Sequence, residues 1–354
     1  MTDFPTEATW RIEPLDAASL EAARAKWNAV AKPIGSLGML ELMVEKIAGL
    51  TGSVDVRLDK RAVVVLCADN GVVAQGVTQA QSDITTLIAG SVARGVSSVC
   101  KMAQTARADA FSVDMGMLVP SDVEGVIDRC VARGTGDISL GPAMTREQAL
   151  QGIATGIDLV RSLKARGYRI IATGEMGIGN TTTSSAMAAV FLGLPVEEVT
   201  GRGAGLSDAG LERKKAAIAR AIEANAPDAD DPIDVLAKLG GFDIAGLVGM
   251  FIGGAVHRVP IVIDGFISAL AAYTAARLCP GCECAMLASH VSSEPAARKL
   301  LDSLGLDAPI QAGLCLGEGT GAVCLLPLLD AALALYDGTT FEETGMEAYE
   351  VNPQ

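Results

Sequence analysis

Ala62-Val63-Val64-Val65-Leu66-Cys67-Ala68 is an apolar, β-branched run that ends in the polar turn Asp69-Asn70-Gly71. Such a run, followed by residues of helical periodicity, is the first half of a βα unit. Four more occur downstream: 108–113 into Asp114-Met115-Gly116, 169–173 into Gly174-Glu175-Met176-Gly177, 259–263 into Asp264-Gly265, and 284–288 into Ser289-His290. This alternation predicts a wound α/β fold. If the strands are parallel, their carboxyl ends share one edge of the sheet, where ligands bind. Asp69, Asp114, Glu175, Asp264 and His290 are therefore expected to line one crevice. Each acid alone is more often a turn former or helix cap, since Asp before Gly is good turn chemistry. Four acids in corresponding places favour the crevice.

The flanks differ from this centre. Segments such as 17–30 and 40–50 have helical periodicity and few strand runs, so residues 1–55 with 325–354 are expected to form a small helical domain beside a large α/β domain, 56–324. Half of the 354 residues are hydrophobic but only 4% are aromatic, so the core must be built from Ala, Val, Ile and Leu. The formal net charge of −14 repels polyanions, which argues against nucleic acid as a partner. Residues 1–23 lack a basic start and an apolar stretch, so no secretory signal is expected and the chain is read as cytoplasmic. The longest apolar stretches, 245–256 and 322–335, are broken by Gly, Pro or Asp and are too short to span a bilayer. No membrane association is expected. Cys279, Cys282 and Cys284 cluster, but no second pair accompanies them and His290 follows a strand-like run. Reduced thiols and no metal are the expectation, because a structural zinc site wants four ligands.

Three glycine-rich turns carry the chemistry. The first, Gly174-Glu175-Met176-Gly177-Ile178-Gly179-Asn180-Thr181-Thr182-Thr183, lies at a strand-to-helix turn and reads as an anion site. It lacks the Lys of a triphosphate loop and the spacing of a dinucleotide fingerprint, which leaves a monophosphate or a simple helix cap. The second, Gly201-Arg202-Gly203-Ala204-Gly205-Leu206-Ser207-Asp208, precedes a helix carrying Arg213, Lys214 and Lys215. One of these cations could neutralise a phosphate, although cations on a helix are also an ordinary solvated face. The third, Gly317-Glu318-Gly319-Thr320-Gly321, opens an apolar run. Its carboxylate is either a partly desolvated base or an acid stabilised by a helix N-terminus, and spacing alone does not choose.

With Lys32-Pro33-Ile34-Gly35-Ser36-Leu37-Gly38, Ala68-Asp69-Asn70-Gly71-Val72, Asp264-Gly265-Phe266, and the segments 289–295 and 316–322, these turns give the chain a resemblance to a known family. It resembles the nicotinate-nucleotide:dimethylbenzimidazole phosphoribosyltransferases, over nearly its whole length and with the motifs in order. The resemblance implies a Rossmann-like, doubly wound parallel sheet with a small helical domain, completed as a homodimer, and no cofactor. It implies that Glu318 is the catalytic base, with Glu175 a second carboxylate near the acceptor. The donor phosphate of nicotinate mononucleotide would be held by Gly177, Asn180, Gly203, Lys214 and Ser292. The aromatic acceptor, 5,6-dimethylbenzimidazole or a similar base, would lie against Thr78, Ser82, Met176 and Leu316. The activity implied is formation of α-ribazole phosphate and nicotinate in cobamide biosynthesis.

The chemistry is consistent with that assignment. Cleaving the glycosidic bond releases a neutralised pyridine, so little acid help is needed. What remains is removal of the acceptor's proton as it attacks the opposite face, a task for a buried carboxylate. The chain departs from the family at Gln81-Ser82-Asp83-Ile84-Thr85, where a Pro-Gln pair is common, and at Ala296-Ala297, where Gly-His is usual. The first departure keeps open a relative that joins phenolic acceptors as a two-chain complex. A non-catalytic subunit would be expected to lose its base, yet Glu318 is present. A dinucleotide-dependent oxidoreductase would need the full fingerprint with an acid about 20 residues on, and no turn has it.

Overall fold

A computed structural model of the chain describes residues 10–349. Residues 1–9, part of the expected signal-free N-terminus, and 350–354 of the expected helical domain lie outside the described residues. Among the described residues, six strands form one parallel sheet: β1 (Arg61–Ala68), β2 (Ala108–Gly116), β3 (Val126–Asp128), β4 (Ile170–Met176), β5 (Ile261–Ile263) and β6 (Met286–Ala288). Their order is β3-β2-β1-β4-β5-β6, and every neighbouring pair is parallel. The expected doubly wound α/β architecture is the one observed.

β1 sits at the centre and all of it is buried. Ala62, Val64, Leu66 and Ala68 join one apolar cluster, while Val63, Val65 and Cys67 join the other. That division follows from the two-residue period of a strand covered on both faces. The helices Arg146–Ala165, Phe242–His257 and Phe266–Leu278 cover the first face; Met39–Thr51, Asp83–Ala93, Ser98–Thr105 and Thr320–Tyr336 cover the second. Two of these helices cross backbone to backbone. A Cβ on Gly156 would lie 2.0 Å from the Gly246 carbonyl oxygen, and one on Gly249 would lie 1.9 Å from that of Ile153.

β3 is absent from the five runs legible in the sequence. It has three residues and pairs with β2 through Ser112 opposite Val126, so its existence depends on a neighbour rather than on a pattern. The run 284–288 also differs: Cys282–Ala285 is a 3-10 turn and the strand begins at Met286. Cys282 is thereby buried in the core.

In the flanks, the helices Ala17–Ala29 and Met39–Thr51 pack on each other. Asp16 caps the first by accepting the Ser19 N–H at 2.7 Å. The Trp27 ring meets Tyr336 at 4.8 Å, which ties the N-terminal flank to the end of Thr320–Tyr336. No helix among the described residues is long and apolar enough to cross a membrane. The strand order reverses between β1 and β4, and such a reversal opens a crevice at the carboxyl edge.

Candidate active site

A cleft of about 340 Å³ opens there, lined by Glu175, Met176 and Gly177 at the end of β4, Asp264 after β5, and His290, Ser292 and Glu294 after β6. Leu316, Gly317 and Glu318 complete one wall. Of the five side chains expected at this edge, Glu175, Asp264 and His290 line the cleft. Asp69 and Asp114 do not. Asp69 accepts the Leu118 N–H at 2.8 Å, and Asp114 accepts the Met117 N–H at 2.8 Å and an Arg133 guanidinium at 2.7 Å. Both hold the loop after β2, because the reversal of strand order directs the crevice to the β4 side.

Glu318 sits in a strained turn. Gly317, Glu318 and Gly319 have φ of 84°, 59° and 87°, a left-handed run that a non-glycine residue tolerates only when its surroundings impose it. Three contacts impose it here. Asp264 accepts the N–H of Gly319 at 3.1 Å and of Ala322 at 2.8 Å. Gly174 in β4 lies so close that a Cβ there would stand 2.6 Å from the Glu318 carbonyl oxygen. The His290 ring lies against Gly321, where a Cβ would meet it at 2.0 Å. His290 also pairs with the Ser289 hydroxyl at 3.0 Å. The Glu318 side chain is half-buried and its Oε2 has no partner. Burial raises its pKa; the Val99 N–H opposes this and the Asp264 charge adds to it. The shift is upward, so desolvation outweighs any stabilisation from the helix N-terminus that follows.

Glu175 is adjacent, its Oε1 3.3 Å from where a Gly317 Cβ would be. The Asn180 amide donates to Glu175 Oε2 and, at 2.9 Å, to Asp243 Oδ2. Burial first, then the Asp243 charge, pushes Glu175 up to about 8, with the Asn180 donor opposing. Asp243, wholly buried at the start of Phe242–His257, is pushed up to about 6 by burial. Asp243 escaped sequence reasoning. Its one signal was a carboxylate opening an otherwise apolar stretch after Gly240-Gly241. Asn180, read as a phosphate ligand, spends its amide between the two acids.

At the other end of the cleft, Lys214 is fully buried and donates to the Thr181 hydroxyl at 2.9 Å and the Gly201 carbonyl at 3.0 Å. Burial lowers its pKa to about 8, against the pull of Glu294. Its Nζ is 3.6 Å from where a Cβ of Gly203 would be, so Lys214, which does not itself line the cleft, lies close to Gly203, which does, as do Thr181 and Ser292. The other three cations of that helix face elsewhere: Arg213 donates to the Gly76 carbonyl, Lys215 to Glu212 and Arg220 to Gln75. Gly177 lines the cleft and also needs to be small, since a Cβ would lie 2.7 Å from the Ala68 carbonyl.

Thr78, Met176 and Leu316 line the cleft together with Val77, Ile84 and Ile88, whose apolar side chains the sequence reading did not single out. Ser82 does not line it; it is the residue before the helix Asp83–Ala93. Among the described residues no group of three or more His, Cys, Asp or Glu side chains is placed to hold a metal ion.

Comparison with known proteins agrees across sequence and structure. A phosphoribosyltransferase family model matches residues 12–346. The nicotinate-nucleotide–dimethylbenzimidazole phosphoribosyltransferase of Acetivibrio thermocellus is 43% identical over 96% of this chain and 95% of its own length. The enzyme of the same name from Desulforudis audaxviator is 45% identical, over 95% and 96% respectively. The crystal structure of CobT from Thermus thermophilus superposes with a TM-score of 0.88 at 37% identity, covering 93% of this chain and 99% of that one.

Proposed function

Because the chain belongs to the nicotinate-nucleotide–dimethylbenzimidazole phosphoribosyltransferase family, we propose that it transfers the phosphoribosyl group of nicotinate mononucleotide to 5,6-dimethylbenzimidazole or a similar base. The products are nicotinate and α-ribazole phosphate, and the step belongs to cobamide biosynthesis. The observation that carries the assignment of roles is the unpartnered Glu318 Oε2, held by a strained turn on the wall of the cleft. A carboxylate with a raised pKa and one oxygen, Oε2, left without a donor is suited to take the acceptor's ring proton as its other nitrogen attacks the ribose.

Glu175 lies beside it and, being largely protonated at neutral pH, offers a hydrogen bond to the acceptor rather than a second negative charge. Gly177, Gly203, Lys214 and Ser292 receive the donor phosphate. Asn180 contributes by holding Glu175, and Thr181 is the hydroxyl within reach of Lys214. The acceptor ring lies on Met176 and Leu316 with Thr78, Ile84 and Ile88. Ser82 acts through the helix it precedes, so the departure there does not by itself favour a phenolic acceptor.

Of the small helical domain read as 1–55 with 325–354, the described part, 10–55 with 325–349, packs on the sheet of the large domain 56–324, and two like chains pair. The exposed Leu87, Leu118 and Val119 support an apolar contact surface, since the Thr86 hydroxyl joins that helix to the Val119 carbonyl at 2.7 Å. The test is nicotinate release from the mononucleotide, followed by ultraviolet absorbance, with dimethylbenzimidazole, adenine or phenol added to the purified chain. Release is expected to require an acceptor and to be fastest with the benzimidazole. Release that ignores the acceptor refutes the proposal.

A further inference from the structure

The cradle formed by Gly203, Lys214 and Ser292 already contains an anionic side chain. Glu294 accepts the Gly203 N–H at 3.0 Å through Oε1, and its charge acts on Lys214. Its Oε2 is buried and has no partner. A Cβ on Gly201 would lie 2.1 Å from that oxygen, so the carboxylate fits only because residue 201 has no side chain. The Glu294 N–H in turn faces the Ser292 hydroxyl at 3.4 Å. The Glu294 carboxylate thus takes the Gly203 N–H and acts through its charge on Lys214, while the residue's backbone N–H donates to the Ser292 hydroxyl.

We propose that Glu294 is the resident anion of this cradle, occupying the donor phosphate's place and leaving only when a phosphate displaces it. This rests on the reading of Gly203, Lys214 and Ser292 as phosphate ligands. A second anion on the Gly203 N–H would meet the Glu294 carboxylate at close range, and like charges a few ångströms apart in a buried site repel strongly. The unpaired Oε2 makes the resident state costly enough to be reversible. Apparent affinity then equals intrinsic affinity multiplied by the fraction of molecules with the cradle free. Free inorganic phosphate, which has only the cradle to hold it, is kept out. Nicotinate mononucleotide, anchored also by its ribose and pyridine along the rest of the cleft, still binds.

The experiment is calorimetric titration of inorganic phosphate and of nicotinate mononucleotide into the full chain, as wild type, Glu294→Gln and Lys214→Met. A cradle occupied about nine-tenths of the time predicts that Glu294→Gln binds both ligands roughly tenfold more tightly. Equal or weaker binding by that variant overturns the proposal and makes Glu294 a brace or a substrate contact. Undiminished phosphate binding by Lys214→Met sinks the cradle reading itself, a separate outcome. Should Glu294→Gln fail to fold, a crystal structure of wild type with the mononucleotide decides. The carboxylate is expected to leave the Gly203 N–H, and finding it still there beside a bound phosphate overturns the proposal.

Discussion

Gly174→Ala probes how the position of Glu318 depends on the strand beneath it. An added Cβ would stand 2.6 Å from the Glu318 carbonyl oxygen and 2.8 Å from the carbonyl carbon, whereas ordinary contact begins at 3.4 Å. Relief therefore requires 3.4 − 2.6 = 0.8 Å of movement. β4 is hydrogen-bonded between β1 and β5, while the turn 317–319 is held mainly through Asp264, so the turn is the part that gives. A misplacement on the order of 1 Å at a reacting group can cost about 10² in rate, so kcat is expected to fall roughly 10- to 100-fold. The KM for the mononucleotide, whose phosphate is proposed to bind at the Lys214 end, should stay within about twofold, because interactions common to ground and transition states are then untouched. The assay is nicotinate release with dimethylbenzimidazole as acceptor, with the melting temperature measured alongside. A kcat equal to wild type in a normally folded variant would refute the reasoning.

Other consequences can be checked in the same way. Glu318→Gln should lower kcat by roughly 10²–10⁴ while calorimetry still detects donor binding; retained turnover removes Glu318 from the role of base. Gly249→Ala drives a Cβ into the Ile153 carbonyl at 1.9 Å, an overpacking expected to cost about 1–3 kcal/mol or more and to lower Tm with little effect on KM; an unchanged Tm contradicts the backbone contact. Glu175 has a folded-state pKa of about 8 against an ordinary 4.5, so between these values the folded chain binds more protons than the unfolded one, and stability falls as pH rises. Glu175→Gln removes that loss. Its Tm should gain on wild type from acid to alkaline pH, and a gap independent of pH would show that burial does not hold the proton on Glu175.

Much of the site was legible because its chemistry is local. The turns 174–183, 201–208 and 317–321 announce themselves by glycine spacing, and the structure brings one edge of each to the same cleft. What was not legible are residues whose role depends on distant partners. Asp243 meets Glu175 only through the Asn180 amide, and Glu294 meets Gly203 across 91 residues. Neither Asp69 nor Asp114 can be told from Asp264 by sequence, since each ends an apolar run and all three become buried. They differ in the N–H groups their carboxylates receive and in the Arg133 guanidinium that pairs with Asp114 alone.

Alternating apolar runs and turns determined by themselves that this chain is a wound α/β protein, because burial on both faces of a strand and on one face of a helix imposes readable periods. The motif order determined its family for the same reason, each motif being a short piece of backbone with its own conformational demands. The strand order, the side of β1 on which the cleft opens, and the protonation of Glu175 and Asp243 were decided by tertiary structure alone. Those properties come from long-range pairing and from desolvation, and both depend on what the rest of the chain places nearby.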